Sequence, residues 1–243
     1  MKKILITNDD GIDSPSLLAL VDALKTKHDV TVVAPESQQS AKSHSITLHK
    51  PLRLEKRSES LYWLSGTPVD CVYVALNHVC KNQPDLVISG INDGYNLGTD
   101  VFYSGTVGAA VEASLRGRPA LAVSMAPRSP EVTTAAVDLT LKVVEKMLQS
   151  QVGAQVINLN IPKNANGVKW TKLGKRDYGD QVKESIDPRG RPYYWIGGGP
   201  LGHHPIEGSD CNAVADSYAS LTPLTFSLTH DDTLDSPPWT IDI

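Results

Sequence analysis

The chain opens on an apolar run, Lys3-Ile4-Leu5-Ile6-Thr7, that stops abruptly at Asn8-Asp9-Asp10-Gly11. A short apolar run bounded by turn formers suits a parallel strand buried on both faces. Ser14 then offers a helix cap and Pro15 a first helical position, where a missing N–H costs nothing. Leu17, Leu18, Leu20, Val21 and Leu24 supply one apolar helical face, and Val30 to Ala34 is a second buried run. This is a β-α-β unit, which implies a parallel pair and a right-handed crossover.

The same alternation continues. A polar loop, Glu36 to Ser45, leaves the second strand at Pro35. Ile46 to Leu54 then alternates apolar and polar residues, predicting a half-exposed antiparallel strand with Leu61–Leu64 as its partner. Thr67 and Pro68 start a second helix running to Val79, and Asp85 to Ser89 forms a third core strand. A loop rich in glycine and asparagine, Gly90 to Gly98, follows it. Ser104-Gly105-Thr106 precedes a small-residue helix, Val107 to Arg116, and Pro119 to Ser124 is a fourth strand. A long amphipathic helix spans about Pro130 to Gln149, and Val156 to Asn160 is the fifth strand. Past Pro162 helical periodicity ceases, and short strands are expected at Val168–Trp170, Tyr193–Ile196 and Tyr218–Leu221. The pattern predicts an α/β core over residues 1–163 with a mostly parallel sheet and a β insertion near 46–64, then a β-rich extension over 164–243.

Composition narrows the function. An apolar fraction of 40% and a charged fraction of 21% over 243 residues are those of a globular protein with a sizeable core. A formal charge of −4 argues against nucleic acid or an anionic membrane as the main partner. No apolar stretch approaches a membrane span, and the Met1-Lys2-Lys3 start runs into a strand rather than a signal-peptide core. Cys71, Cys80 and Cys211 lack metal-ligand spacing and are expected to be reduced thiols, which suits a cytoplasmic location. His203 and His204 are neighbours in a glycine-rich loop, Gly197 to His204, and are expected to be exposed.

Ligands of open α/β sheets sit beyond the carboxyl ends of the strands. Asp9 and Asp10, the Ser37–Ser45 loop and the Asn92/Asn96 loop all leave such ends. Asn8, Asp9, Asp10 and Gly11 suit either a plain turn or a site, since adjacent carboxylates repel unless a cation or water relieves them. Ser104-Gly105-Thr106 sits at a helix N-terminus, which favours an anion such as phosphate. Carboxylates, amides and hydroxyls without imidazole or thiolate suit a hard cation, Mg²⁺, Mn²⁺ or Ca²⁺, rather than zinc. Such a cation beside a phosphate cradle points to phosphoryl transfer to water.

Six ordered motifs then carry a family resemblance: Asn8-Asp9-Asp10-Gly11; Ala34-Pro35 with Gln39-Ser40-Ala41; His44-Ser45-Ile46-Thr47; Gly66-Thr67-Pro68-Val69-Asp70-Cys71-Val72; Ser89 to Asn96; and Tyr103-Ser104-Gly105-Thr106-Val107. Together they resemble the stationary-phase survival protein SurE family, metal-dependent nucleoside-monophosphate phosphatases. The match continues more loosely through Asp187–Trp195, Asp210 and Tyr218–Leu224, departing at Ser209-Asp210, at Asp216-Ser217-Tyr218 and in a short C-terminus from Leu228. The resemblance implies a Rossmann-like, three-layer core and 5′/3′-nucleotidase activity, sometimes extending to polyphosphate. It implies one divalent ion per subunit held by Asp9, Asp10, Ser40 and Asn96, with Asp9 and Asn8 catalytic. Asn8, Asn92, Ser104, Gly105 and Thr106 would face the phosphate. It also implies a homodimer or tetramer in which the β-rich arm exchanges between subunits.

Three rivals fit less well. A haloacid-dehalogenase-type phosphatase needs a second Asp two residues past the nucleophile, where Gly11 or Ile12 stands. A phospho-receiver domain needs an Asp ending the third strand, where Ser89 and Gly90 stand. A non-catalytic nucleotide-binding module is the third; Gly90, Gly94 and Gly98 are four apart, which is not a dinucleotide fingerprint.

Overall fold

Strand residues at alternate positions divide between two faces of one sheet, and each face is covered by two helices. The computed structural model describes residues 1–150, 153, 155–179, 182–197 and 201–229. Its central strands are β1 (Lys3–Thr7), β2 (Asp29–Pro35), β5 (Leu86–Asp93), β6 (Ala120–Met125) and β7 (Val156–Ile161), and its main helices are α1 (Pro15–Lys25), α2 (Pro68–Val74), α3 (Gly105–Leu115) and α4 (Pro130–Gln149). Ile4, Ile6, Val32, Ile88, Leu121 and Leu159 pack with α1 and α4, whereas Leu5, Val33, Val87, Ala120 and Ala122 pack with α2 and α3. The second face is built from small residues. Ala120 and Ala122 meet Ala109, Ala110 and Ala113, so α3 lies close to the sheet. The result is the three-layer α/β architecture that the alternation implies.

The remaining strands are β3 (Leu54–Ser58), β4 (Leu61–Leu64), β8 (Val168–Trp170), β9 (Arg176–Asp177), β10 (Val182–Ile186), β11 (Pro192–Ile196), β12 (Gly202–His203) and β13 (Ala219–Leu224), with one short helix, α5 (Asp210–Ala215). The sheet order is β3-β4-β2-β1-β5-β6-β7-β13-β8. Strands β4, β2, β1, β5, β6 and β7 run parallel, while β3 pairs antiparallel with β4, β13 pairs antiparallel with β7, and β8 runs parallel to β13. The chain moves outward from β1 to β2, then returns to lay β5 on the other side of β1. The strand order therefore reverses between β1 and β5, and the loops after these strands open the crevice where such sheets bind ligands.

Two expectations need correction. The predicted strand at Ile46–Leu54 is not a strand; the ladder begins at Leu54. The hydrogen bonds of this stretch go instead to the start of α2. Thr47 N–H and Oγ1–H donate to the buried Asp70 carboxylate at 2.8 and 2.6 Å, and Thr67 Oγ1–H donates to the Ser45 carbonyl at 2.7 Å. Ile46 and Leu48 are exposed, so their alternation marks no buried face. The stretch past Pro162, expected to lack helix, contains α5; six residues are too few to show a 3.6-residue period. β8 lies as expected, and β11 and β13 cover their predicted stretches to within a few residues. β8 and β13 widen the central sheet, while β10 and β11 pair only with each other. His203 and His204 are exposed, as expected. Part of the glycine-rich loop (198–200) and the tail from 230 lie outside the described residues.

Helix starts follow the sequence closely. Thr67 and Asp70 form a reciprocal capping box, and Pro68 occupies the first turn. Ser14 precedes Pro15 at the start of α1, but its hydroxyl makes no capping hydrogen bond. Gly90 is required where β5 shifts register against β6: its φ is +143°, and a Cβ there would lie 2.5 Å from the Val123 carbonyl oxygen. Gly90→Ala is therefore expected to cost about 3 kcal/mol, from a left-handed backbone plus overpacking. Urea denaturation checks this; an unchanged midpoint would show that β5 and β6 have room to part.

Candidate metal and phosphate site

β1 ends in a turn closed by Asn8. The Asn8 side-chain amide donates to the Gly11 carbonyl at 2.9 Å, and its oxygen accepts the Gly11 N–H at 3.2 Å. Asn8 is fully buried, and its side chain shapes the turn that presents the next two residues. Gly11 has a φ of +98°, and a Cβ there would meet the Ser37 main chain at 3.1 Å. Glycine thus lets the acidic turn lie directly under the loop after β2.

Asp9 is 6% exposed, and its Oδ1 accepts the Thr106 hydroxyl at 2.5 Å. Burial pushes its carboxyl up to about 6; the Thr106 hydrogen bond works against this, and the neighbouring Asp10 charge adds to it. Asp10 is half-buried and also raised, first by burial. The Asp93 N–H, at 3.4 Å, and the charge of Arg128 oppose that rise, while the Asp93 carboxylate reinforces it. Two carboxylates on consecutive residues are thus held where water solvates them poorly.

Asn96 approaches from the β5 side, and its orientation is fixed on three sides. Its N–H donates to Asn160 Oδ1 at 2.8 Å, and its carbonyl accepts from Asn158 and Asn160 side chains at 2.9 and 3.1 Å. Its own Nδ2 donates to Ser124 Oγ at 2.7 Å. With the amide nitrogen committed, Oδ1 has no hydrogen-bond partner among the described residues. Nor has Asp10 Oδ1. Asn92 is half-buried and donates to the Gly94 carbonyl at 2.7 Å, closing the turn before Asn96.

At the start of α3, Ser104 Oγ accepts the Val107 N–H at 3.1 Å as a helix cap. Gly105 packs on Asp9: a Cβ there would lie 3.2 Å from the Asp9 Cβ. The helix N-terminus, with the Gly105 and Thr106 N–H groups in its first turn, therefore abuts the acidic pair. Ser40 is exposed, and its hydroxyl accepts the Gln38 side-chain amide at 3.0 Å. The main chain makes this loop's contact with the acidic turn, through Gln39 N–H to the Asp9 carbonyl at 2.7 Å. Asp9, Asp10, Ser104, Gly105 and Thr106 are thus gathered at the β1 end. Asn92 and Asn96 sit across the β5 end, and the Ser40 hydroxyl lies on the covering loop.

Several residues that matter here were not singled out from sequence. Ser124, Asn158 and Asn160 are buried on the α3 face of β6 and β7 and aim Asn96. Their signal was present: amides at alternate positions of an otherwise apolar strand leave one face polar. Asp210, which the sequence marked only as part of the looser family match, is fully buried, accepts N–H groups of Gly98 and Gly174 at 2.8 and 2.7 Å and so ties the Asn96 loop to the C-terminal region. Arg176 lies 3.4 Å from Asp100, which also accepts the Tyr178 hydroxyl. Nothing in the sequence alone marked these pairs.

The donor set fits a hard divalent cation. Among the described residues no three His, Cys, Asp or Glu side chains cluster as a metal site. The oxygens available are those of two crowded carboxylates and the Asn96 Oδ1, which has no hydrogen-bond partner among the described residues, a combination suited to Mg²⁺, Mn²⁺ or Ca²⁺.

Because Asp9 titrates near 6 in the fold against an ordinary 3.8, its ionisation opposes folding. That penalty is absent below the unfolded value and fully present above about 6. In chelator at about pH 8, Asp9→Asn is expected to stabilise the protein by about 2 kcal/mol, a gain that shrinks toward pH 4. Thermal unfolding at both pH values checks this; a variant that melts lower at the higher pH contradicts it.

The model of the family described as "Survival protein SurE" matches residues 4–180. The chain is 46% identical to 5'-nucleotidase SurE of Anaeromyxobacter sp. (strain Fw109-5), over 98% of this chain and 96% of that protein. It is 46% identical to 5'-nucleotidase SurE of Thermoanaerobacter sp. (strain X514), over 93% of each, and 44% identical to that of Myxococcus xanthus (strain DK1622), over 99% of this chain and 94% of the relative. The crystal structure of the Sure protein from Aquifex aeolicus superposes with a TM-score of 0.85 at 37% identity, covering 97% of this chain and 98% of that one. With the acidic turn after β1 and the capped start of α3 both inside the matched region, the chain belongs to the SurE family.

Proposed function

We propose that this protein is a divalent-metal-dependent phosphatase that hydrolyses nucleoside 5′-monophosphates, and 3′-monophosphates as well, to nucleoside and phosphate. It is an enzyme of the 5′-nucleotidase class, a phosphoric monoester hydrolase, as its relatives are named. The observation that carries the metal-dependent reading is the crowding of Asp9 and Asp10 at the start of α3.

Asp9, Asp10, Asn96 and Ser40 hold one Mg²⁺ or Mn²⁺ per subunit, with Ca²⁺ also compatible with the donors. When bound, such an ion polarises a phosphoryl oxygen and lowers the pKa of water beside it. The chain's own residues do the rest. Thr106 fixes the Asp9 carboxylate through Oδ1, leaving Oδ2 beside Gly105. The N-terminus of α3 offers N–H groups and a positive dipole end to the phosphate, with Ser104 capping the turn. Asn8 and Asn92 serve the phosphate by closing the turns that carry the site. Water is the attacking group.

Assembly follows from the C-terminal region. β10 and β11 form a two-stranded ribbon with Val182, Ile186, Tyr194 and Ile196 exposed on one face and Trp195 exposed on the other, surfaces unsuited to standing alone in water. Residues 164–243 serve as an oligomerisation arm that exchanges between subunits of a homodimer or tetramer. No helix among the described residues is long and apolar enough to cross a membrane. The three free cysteines fit a reducing compartment, and we place the protein in the cytoplasm.

Purified protein is expected to release phosphate from AMP or GMP with Mn²⁺ or Mg²⁺ present, and to lose at least about a hundredfold of that rate after exhaustive chelation. Full activity in chelator sinks the metal mechanism. Nucleotide binding without phosphate release would favour a non-catalytic binding module.

A further inference from the structure

The loop between Ser37 and Ser45 covers the acidic turn, yet its backbone is strained. Ala41 and Ser43 have φ of +56° and +53°, conformations that L-residues adopt at a cost and keep only where the surroundings impose them. Beside the Phe102 and Tyr103 carbonyls and Thr67, those surroundings include one stripe of α3. Ser104, Gly108, Glu112 and Arg116 are spaced four apart and share a helix face. Ser104 caps the helix beside Asp9. At Gly108 a Cβ would lie 2.6 Å from the Ser43 carbonyl oxygen, so the loop's main chain rests directly on the helix. Ser43 N–H and Oγ–H donate to the Tyr103 and Phe102 carbonyls at 2.9 and 2.5 Å.

One turn further along, Glu112 is 6% exposed and takes two cationic partners. His44 Nε2 lies 2.9 Å from its Oε2, and Arg116 Nε lies 2.5 Å from its Oε1. The Arg116 guanidinium in turn stacks 3.9 Å from the centre of the Tyr73 ring. A carboxylate this buried needs such partners. Its charge serves neither the acidic pair nor the α3 N-terminus, three turns away from Arg116. What it reaches is the loop that carries Ser40.

We propose that Glu112, acting through His44, is a positioning latch that holds the Ser37–Ser45 loop on α3 and so sets Ser40 and the Gln39 main chain against the acidic pair. Gly108 is the matching half of the device, since only a residue without a Cβ lets the loop settle within reach of Glu112. The proposal rests on the metal reading for the part Ser40 plays, but the loop's attachment itself does not.

Two measurements on the full-length protein separate these. Lys42 is exposed within the loop, so trypsin cleavage of the Lys42–Ser43 bond reports attachment without any metal. In chelator, His44→Ala is expected to be cut there about tenfold faster, while His44→Gln, which keeps a hydrogen-bond donor at similar reach, stays near the wild-type rate. Mn²⁺ binding followed by electron paramagnetic resonance is expected to weaken about tenfold in His44→Ala and to be restored by His44→Gln. Gly108→Ala gives an independent check, because alanine favours the helix by about 1 kcal/mol and yet should speed cleavage and weaken Mn²⁺ binding. Cleavage of both variants at the wild-type rate overturns the latch. So does loss of Mn²⁺ binding that only tracks a lowered unfolding temperature and is not rescued by His44→Gln. Faster cleavage in a protein that binds no Mn²⁺ at all supports the latch and overturns the metal reading instead.

Discussion

Two carboxylates on consecutive residues, one buried and one half-buried at the end of the first strand, are the constraint around which this structure is organised. Like charges at that spacing in a poorly solvated place are costly, and the cost is visible in Asp9, whose carboxyl is pushed up to about 6. A fold retains such a feature when something relieves it. Part of the relief is in the chain: the Thr106 hydroxyl, the start of α3 and the Asp93 N–H all turn positive ends toward the pair. The rest is the role proposed for a divalent cation.

Much of the surrounding architecture is intelligible as support for that pair. The reversal of strand order between β1 and β5 opens a crevice beside it. Small residues on α3 and β6 bring a helix N-terminus close to the sheet edge, and Gly105 and Gly11 remove the Cβ atoms that would hold neighbouring segments away. On the far side, Ser124, Asn158 and Asn160 replace apolar contacts with hydrogen bonds that leave a single orientation for Asn96. Asn158 Oδ1 is left buried without a partner among the described residues, and the bonds that are made commit the Asn96 main chain and amide nitrogen.

The sequence made the layers legible because strands buried on both faces and amphipathic helices alternate strongly. Ile4 to Thr7, Val30 to Ala34 and Pro130 to Gln149 needed nothing beyond their pattern. It misled at Ile46–Leu54, where alternation came from side chains that stay in water while Asp70 and Thr67 capture the backbone partners. The six residues of α5 were too short for any period to show. Residue type and position singled out Asp9, Asp10 and the start of α3, and the fold brings Asp9 against that helix start. For Asn8 the sequence showed the turn-forming residue type but not its partners: both ends of its amide bond Gly11. Asp210 and Glu112 act through long-range partners, Gly98 and Gly174 for one and His44 for the other, that only the folded chain brings together.

The central claim is that the oxygens of Asp9, Asp10 and Asn96 form one cation site. Crystals soaked in Mn²⁺ and measured at its absorption edge test this most directly. The account predicts an anomalous peak bounded by those three side chains, and lost in Asp9→Asn. A peak elsewhere, in protein that still hydrolyses AMP at full rate, would contradict it.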